Sequence, residues 1–574
     1  MRPTSSIPTP AGVPSSRPAR PSRAFAPRAA AGTARGRSVA ARLGRSWFAA
    51  AAVLAACVPA GDGIAPPTDQ LYFPVALAVD ESSEWLYVVN SDFDLQFNGG
   101  TVQSVRLGRL REIVPRVCSS DAHCEAGEIC DVGQDASGPT ADNGGTASFF
   151  CVPNRQASPC GDLREQTPSE RAVAPGRCAP ISLLDPPDGG GSLLEQVVTI
   201  SAFATDAVLR TRPAGEEPGA PQRLFIPVRS DRSLHWIDVD GGALDCGQER
   251  DGGSCDAKHR VGDNPDAETE ERSELPTEPF GIDATEDGRV LVVAHQVGGR
   301  VSAFTNDWAN GPRLAYVESG LPNRPIGVAA VPPRLLSEGS VAEQAPGFLV
   351  TFRNAAQVNL LRFLGEDDSR RSRLVDVAET PLTVNTLGVD SRGIAIDDPR
   401  PRARAVCDEL PAEERDGCLA EAERLPLDVY VANRTPPSLI VGRTREVTAT
   451  GEPRDLPTFH DSIPLTAGPS RVVVGNVLVD DGTPEGRPER RIFVLCFDSN
   501  LIYVYDPEER RIEAEISTGR GPHALAFDRE RPLAYVAHFT DSYIGVVSLD
   551  QRSPWNYGAL IASIGTPRPP RASK

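Results

Sequence analysis

Histidine and cysteine most often bind metals or act as nucleophiles, and the chain has seven of the former and twelve of the latter. No pair of histidines has the H-E-x-x-H spacing of zinc hydrolases. The sequence also lacks a G-x-S-x-G elbow, a P-loop and a dinucleotide fingerprint. Acidic segments 92–94 and 366–368 do not match the EF-hand calcium loop. We therefore predict no catalytic residue, metal or cofactor from local motifs, with a structural calcium ion as the open alternative.

Half of the cysteines lie in one segment that is rich in Gly, Asp, Ser and Pro and poor in apolar residues. These six are Cys118, Cys124, Cys130, Cys151, Cys160 and Cys178. A segment that cannot bury a core needs covalent support, and an oxidising compartment permits disulfides. We expect three bridges, with fifteen pairings open. Zinc is the alternative, but it needs shorter cysteine spacings, and His123 is the only imidazole nearby.

Four further cysteines form two close pairs in the sequence, and a fifth is left over. Cys246 with Cys255, and Cys407 with Cys418, are predicted to close local loops. Cys496 lies in the apolar run 492–497. We expect it to be a buried free thiol, because the sequence places no histidine partner beside it.

The N-terminal segment has the features of a targeting signal. Residues 1–56 contain nine arginines and no acid, and they end in an apolar run at 47–56. That run is too short to span a bilayer, which takes about 20 residues. It closes with Leu54-Ala55-Ala56-Cys57.

This tetrapeptide resembles the lipobox of bacterial lipoproteins. The resemblance implies cleavage before Cys57 and anchoring to a membrane through lipid on that cysteine. It places the protein in the cell envelope, as an outer-membrane lipoprotein facing the periplasm or the cell surface. An ordinary secretory signal with an incidental cysteine is the alternative.

Four short apolar runs recur as a unit along the rest of the chain. The last copy has them at 521–528, 533–538, 543–549 and 559–565. Seven copies can be followed, and their first runs lie at 74–80, 202–209, 279–283, 325–329, 393–397, 469–474 and 521–528. Continuous β-branched and aromatic runs bounded by Gly, Pro and Asp predict strands that are buried on both faces.

Small sheets of this kind become stable by packing against neighbours around an axis. We predict an all-β, seven-bladed β-propeller over 71–567, with a disulfide-rich insertion at 107–192 within the first blade. A disordered leader at 1–56, a tether at 57–70 and a tail at 568–574 flank it. A solenoid and a pair of β-sandwiches are the alternatives. The last run, 559–565, could complete its own blade or pair beside the first one.

The segment 430–433, Tyr-Val-Ala-Asn, resembles the motif of the YVTN family of β-propellers. Close variants occur at 87–90 and 535–538. The resemblance implies a propeller over most of the chain. The family asparagine corresponds to Asn90 and Asn433, and histidines 295 and 538 take the same place in their repeats. We expect these side chains to bond nearby backbone in turns.

Charge limits the choice of partner. The net charge is −19, and removing the nine arginines of the leader leaves the remainder near −28. Such a body repels nucleic acid. We expect a membrane-anchored binding or scaffold module for protein or glycan, and lean against an enzyme. A lactonase-like hydrolase or quinoprotein-like oxidoreductase with its site at the channel mouth is the alternative, because such sites combine loops of several blades and escape motif searches.

Overall fold

The structure is a computed structural model that describes residues 63–567, all within one compact unit, Asp62–Lys574. The description omits 115, 119, 133–148, 154–179, 187–188, 216–219, 263–274, 335–344, 366–370, 385, 445–454, 484 and 555. The predictions for the leader, the tail, Leu54, Ala55, Ala56, Cys57, Cys160 and Cys178 therefore concern residues outside the described part.

The seven repeats form seven antiparallel sheets, six of four strands and one of five. Blade 1 contains β1 (Pro74–Val79), β2 (Trp85–Asn90) and β3 (Gly100–Arg106). The insertion follows, with helix α1 (Leu107–Ile113), β4 (Glu128–Val132) and β5 (Phe149–Pro153), and β6 (Leu194–Ile200) then completes blade 1. The predicted all-β, seven-bladed propeller with an insertion in its first blade is confirmed.

The remaining blades follow in chain order. Blade 2 contains β7 (Val208–Thr211), β8 (Gln222–Val228), β9 (Ser233–Asp240), β10 (Ala243–Asp245) and β11 (Arg260–Gly262). Blade 3 contains β12 (Pro279–Ala284), β13 (Val290–His295), β14 (Arg300–Asp307) and β15 (Gly311–Ser319). Blade 4 contains β16 (Pro325–Val331), β17 (Gly347–Phe352), β18 (Gln357–Leu364) and β19 (Arg373–Pro381), and a hairpin of β20 (Thr383–Val384) and β21 (Thr386–Leu387) follows it.

Blade 5 contains β22 (Val389–Asp397), helices α2 (Arg400–Asp408) and α3 (Ala412–Ala422), β23 (Asp428–Thr435), β24 (Pro437–Thr444) and β25 (Pro457–Pro464). Blade 6 contains β26 (Pro469–Val479), β27 (Arg487–Cys496), β28 (Leu501–Asp506) and β29 (Arg511–Ser517). Blade 7 contains β30 (Pro522–Phe527), β31 (Leu533–His538), β32 (Tyr543–Ser548) and β33 (Leu560–Ile564). No helix in the described part of the chain has the length and hydrophobicity to cross a membrane.

The hydrophobic core is divided among the contacts between blades. Seven apolar clusters are present in the described residues, and each is shared by two neighbouring blades. One of them joins blade 7 to blade 1 through Tyr535 and Ile561 on one side and Leu86 on the other. Each blade therefore buries both of its faces, and the ring is closed.

One backbone feature recurs at the start of all seven inner strands. A residue with a positive φ precedes the inner strand in five blades and the inner segment of blade 2, and in blade 5 it is the second residue of β22. These residues are Phe73, Phe203, Glu278, Arg324, Asp390, Gly468 and Gly521. In six blades its carbonyl accepts a hydrogen bond of 2.8–3.0 Å from the residue that follows the second strand. These turns lie at one end of the channel, and we call that end the mouth face.

The sequence left ring closure open, and the structure resolves it. β33 pairs with β32, so the C-terminal strand completes its own blade. The insertion of blade 1 then extends onto blade 7. The Ile181 amide donates to the Ser563 carbonyl at 2.8 Å, and the Gly565 amide donates to the Ile181 carbonyl at 2.8 Å. Leu110 and Leu183 of the insertion belong to the apolar cluster between the two blades.

A buried ion pair joins the insertion to blade 7. Arg111 of α1 donates to both carboxylate oxygens of Asp528 at 3.2 Å, and the Tyr535 hydroxyl donates to Asp528 at 2.6 Å. The Asp528 side chain is fully buried, and that of Arg111 is 6 % exposed. Removing one member of such a pair leaves an uncompensated charge in a low-dielectric environment.

Three details differ from the sequence-based expectation. The all-β prediction named no helix, but α1 begins the insertion and α2 and α3 occur between two strands of blade 5, where their short amphipathic pattern is not distinctive. The first run of blade 2, predicted at 202–209, forms a strand only over Val208–Thr211, because the chain turns at Phe203. Asn90 and Asn433 were expected in turns, but they are buried within strands near their ends.

Substitution of Arg111 tests the role of the insertion in closing the ring. We expect Arg111→Met to lower the free energy of unfolding by about 3–5 kcal/mol, because Asp528 stays buried without its cation. Arg106→Met is the control, since Arg106 forms an exposed pair with Glu195 and should cost at most about 1 kcal/mol. Thermal unfolding followed by near-ultraviolet circular dichroism measures both. Equal melting temperatures for the two variants would contradict this role.

Candidate functional site: the channel mouth

A cavity of about 620 Å³ opens at the mouth face, and its wall includes residues of all seven blades. Most of the wall is apolar, with Val75, Ile326 and Val472 among its residues. Inner strands approach one another closely here. A Cβ atom on Gly281 would lie 2.0 Å from the Ile326 carbonyl oxygen, so only glycine fits there.

One side of the mouth is aromatic. Five phenylalanines and one histidine from blades 1, 2, 6 and 7 are linked by ring contacts of 5.0–6.2 Å. We call them the aromatic arc: Phe73, Phe93, Phe203, Phe497, Phe539 and His523. Phe93 is 48 % exposed although it contacts three other rings. The arc is thus a preformed apolar surface open to solvent.

Blades 4, 5 and 6 contribute cations to the mouth. We call Arg353, Arg392, Arg434 and Arg471 the arginine arc. Arg392 donates to Asp390 through Nε at 2.7 Å and Nη2 at 3.1 Å, and Arg353 donates to the same carboxylate at 3.0 Å. Burial lowers the pKa of Arg392, and the charges of Arg353 and Arg434 act in the same direction.

An ion pair crosses the channel. Arg471 of blade 6 lies 2.8 Å from the Oδ1 of Asp206, which belongs to the irregular inner segment of blade 2. Blades 6 and 2 are not neighbours in the ring, so the contact joins opposite sides of the cavity. The pair therefore spans the channel.

His523 is the histidine that lines the cavity. Its Nδ1 is 2.8 Å from the Val75 carbonyl oxygen, so this nitrogen carries the proton and donates. Burial lowers the pKa of His523, and the charge of Arg471 lowers it further. The ring is therefore neutral near pH 7. The hydrogen bond orients it within the aromatic arc, and no serine or cysteine among the described residues bonds to it.

The two histidines at the family-asparagine position, His295 and His538, have structural roles. His295 bonds to the Ser302 hydroxyl at 2.8 Å, and burial lowers its pKa to about 4. His538 stacks on Tyr543 with ring centroids 4.1 Å apart, and burial lowers its pKa to about 3. Asn90 and Asn433 bond to backbone, as expected: Asn90 accepts from the Tyr72 amide at 3.0 Å, and Asn433 donates to the Pro436 carbonyl at 2.7 Å.

None of the sequence-predicted cysteines that the structure describes lines the cavity. The structure pairs Cys118 with Cys130, Cys124 with Cys151, Cys246 with Cys255, and Cys407 with Cys418. The sulfurs of Cys118, Cys124 and Cys151 lie within 4.8 Å of one another, but disulfide sulfurs are not thiolates and cannot act as zinc ligands. Cys496 is free and buried, and burial raises its pKa to about 12, so it is not a reactive thiolate.

Sequence analysis did not identify the residues of the mouth. Several of them share two repeat positions. One is the residue after the first proline of an inner strand, as in Val75, Phe280, Ile326 and His523, and the other is the residue after the family-asparagine position, as in Arg434, Phe497 and Phe539. Aligning the seven repeats by their prolines and strand ends would have placed these side chains on one face.

Asp92, in the turn after β2, is an unusual carboxylate. It is 1 % exposed, its Oδ1 accepts from the Phe97 amide at 3.3 Å, and its Oδ2 has no hydrogen-bond partner among the described residues. Burial raises its pKa to about 7. The unfolded chain therefore loses this proton at lower pH than the folded chain, and the folded state loses stability as pH rises from about 4 towards 7.

We expect Asp92→Asn to remove this loss of stability at high pH, because asparagine tolerates the positive φ of 50° and stays uncharged. The variant should be more stable than the wild type at pH 8 by up to about 4 kcal/mol, and by much less at pH 4.5. Thermal unfolding at the two pH values measures this. The exposed Asp481→Asn is the matched control. A stability difference that does not change with pH would contradict a protonated Asp92.

Comparisons with known proteins find remote likenesses only. No family model matches the chain, and no curated protein matches it. A putative 6-phosphogluconolactonase from Bacteroides fragilis is 11 % identical, with 79 % of this chain and 86 % of that chain covered and a TM-score of 0.39. The periplasmic gluconolactonase of Pseudomonas aeruginosa is 13 % identical, with 78 % and 86 % covered and a TM-score of 0.36.

The Sqt1 protein of Saccharomyces cerevisiae is 7 % identical, with 85 % of this chain and 84 % of that chain covered and a TM-score of 0.38. These likenesses are too remote to assign an activity. The chain is a seven-bladed β-propeller whose mouth combines an aromatic arc, an arginine arc and an apolar cavity.

Proposed function

We propose that the protein is a non-enzymatic binding module that recognises a partner protein with its mouth face. The observation that carries the proposal is the grouping of exposed apolar side chains there. Phe93 is 48 % exposed, Leu95 57 %, Val297 52 % and Leu387 59 %. Phe93, Leu95 and Val297 lie in turns after second strands, and Leu387 lies in the hairpin that leads into blade 5.

Charged pairs accompany this apolar surface. Arg229 is paired with Glu278, Arg434 with Asp498, and Arg392 with Asp390. Protein interfaces often combine an apolar, aromatic centre with arginine and a polar rim. Aliphatic side chains such as Leu95 and Val297 contact protein well but do not stack on sugar rings, so the surface favours a protein ligand over a glycan.

The enzymatic alternative, a lactonase-like hydrolase or quinoprotein-like oxidoreductase, would need acids, histidines or a metal to converge in the channel. The two aspartates of the cavity wall are each engaged: Asp206 by Arg471, and Asp283 by Arg210 at 2.6 Å. The mouth therefore offers apolar contact and ion-paired side chains in place of a free acid–base pair.

We also propose that the chain belongs to the YVTN-type propeller lipoproteins and is anchored through Cys57 in the cell envelope. The four disulfides of the described residues support an oxidising compartment, because reducing cytosol seldom preserves such bonds.

Site-specific photocrosslinking in the native host tests the mouth face. A photoreactive residue at Leu95 should give a protein adduct of discrete mass, and Phe93→Asp should abolish that adduct by placing a charge at the contact centre. The same residue at Val406, which is 63 % exposed on α2, is the matched control and should give none. No adduct at Leu95, or the same adduct at Val406, would contradict the proposal.

Lactone hydrolysis tests the alternative on the same purified protein. We expect no turnover of 6-phosphogluconolactone or gluconolactone above the rate without protein. Turnover that falls at least about tenfold in His523→Ala would instead favour the enzymatic alternative, because that ring is the neutral base of the cavity.

Cell fractionation tests the anchor. Cys57→Ala should abolish labelling by radioactive palmitate and release the protein into the soluble envelope fraction, because the acyl chains are the membrane contact. Ser46→Ala, in the same leader, is the control and should stay membrane-bound. Continued membrane association of Cys57→Ala would show that another segment holds the protein there.

A further inference from the structure

The arginine arc has one more cation than the carboxylates that are paired with it. Its four arginines are paired with three aspartates: Asp390 is shared by Arg353 and Arg392, Asp498 is paired with Arg434, and Asp206 is paired with Arg471. Asp283 also accepts from the Ala330 amide at 2.8 Å and lies against Arg210, so its charge is compensated outside the mouth. A local excess of cations attracts an anionic group.

The arginines are oriented before any ligand binds. Asp390 holds Arg392 by two hydrogen bonds and Arg353 by one, so one carboxylate serves two guanidinium groups. Asp390 engages Nε and Nη2 of Arg392 and does not use Nη1. A guanidinium has five N–H donors and matches the geometry of a second carboxylate. Fixing its orientation in advance reduces the entropy lost on binding.

Apolar side chains lie beside these cations. Ile326, Ile394 and Phe280 line the same cavity as Arg392, and the aromatic arc lies on the other side of the mouth. The volume of about 620 Å³ is within the usual range for ligand pockets, roughly 300–1,000 Å³. A ligand suited to this wall carries a carboxylate next to an apolar group.

We infer that the arginine arc is a carboxylate subsite, which binds the carboxylate of an apolar segment of the partner protein. The inference rests on the proposed function and names the chemistry of the ligand at that face. The carboxylate is either the C-terminus of a chain that ends in an apolar residue or an acidic side chain beside one. Arg392 forms the central contact, and Arg434 and Arg471 flank it.

The Arg471–Asp206 pair modulates this subsite. Asp206 acts as an internal carboxylate for Arg471 at 2.8 Å. A ligand carboxylate that approaches Arg471 must share it with Asp206 or displace it. Replacing Asp206 by asparagine therefore frees a cation without removing any arginine of the arc.

Three small probes test the subsite on the purified protein by isothermal titration calorimetry. N-acetyl-phenylalanine carries a terminal carboxylate, N-acetyl-glutamyl-phenylalanine amide carries a side-chain carboxylate, and N-acetyl-phenylalanine amide carries none. We expect at least one acid to bind at least about tenfold more tightly than the neutral amide. The preferred acid identifies whether a C-terminus or an acidic side chain is recognised.

Substitutions at the mouth identify the residues that bind the acid. Arg392→Gln should weaken the acid about tenfold, Arg392→Lys should weaken it less, and Asp206→Asn should strengthen it. Arg510→Gln is the matched control, because Arg510 is paired with Asp461 and 59 % exposed outside the cavity, and it should leave binding unchanged. A melting temperature for each variant confirms that it is folded.

Equal affinity for the acids and the neutral amide would overturn the inference, and so would unchanged affinity in a folded Arg392→Gln variant. These failures are separable from failure of the proposed function. If the Arg392→Gln variant still gives the crosslink at Leu95, the protein-binding face is retained. In that case only the carboxylate subsite is rejected.

Discussion

Packing between the faces of neighbouring blades is the interaction on which the rest of the structure depends. A four-stranded sheet has two apolar faces, and here every face is covered by the next sheet in the ring. The interface between blades 7 and 1 joins sheets from the two ends of the described chain. Contacts of the insertion through Arg111 and Ile181 reinforce it, so a segment that interrupts blade 1 also holds the ring together.

The closed ring gives the mouth its character. Because inner strands converge on the channel, the same repeat positions of different blades meet at one opening. The residue that follows the family-asparagine position is Arg434 in blade 5, Phe497 in blade 6 and Phe539 in blade 7. Variation at this repeat position thus contributes side chains to both the aromatic arc and the arginine arc. Specificity at such a surface depends on these side chains and not on the fold.

The repeat pattern of the sequence was sufficient to predict the blades, because strands buried on both faces are continuous apolar runs bounded by turn residues. It could not predict α2 and α3, two short helices that the Cys407–Cys418 bridge joins, because neither has a distinctive amphipathic pattern. The Arg111–Asp528 pair joins residues 417 positions apart, and no local pattern indicates such a contact. The mouth escaped motif analysis for the same reason, since Arg471 and Asp206 become partners only when the ring closes.

Amide hydrogen exchange at the junction of blades 7 and 1 tests the closed ring most directly. The amides of Ile181 and Gly565 both donate at 2.8 Å across the edge between the insertion and blade 7. If the insertion holds the ring closed, the amides of Ile181 and Gly565 should exchange as slowly as the amides of the β31–β32 ladder. The reason is that these hydrogen bonds would then open together in one cooperative unit. Rapid exchange of both amides, with the ladder of blade 7 still protected, would show that the insertion does not hold the ring closed.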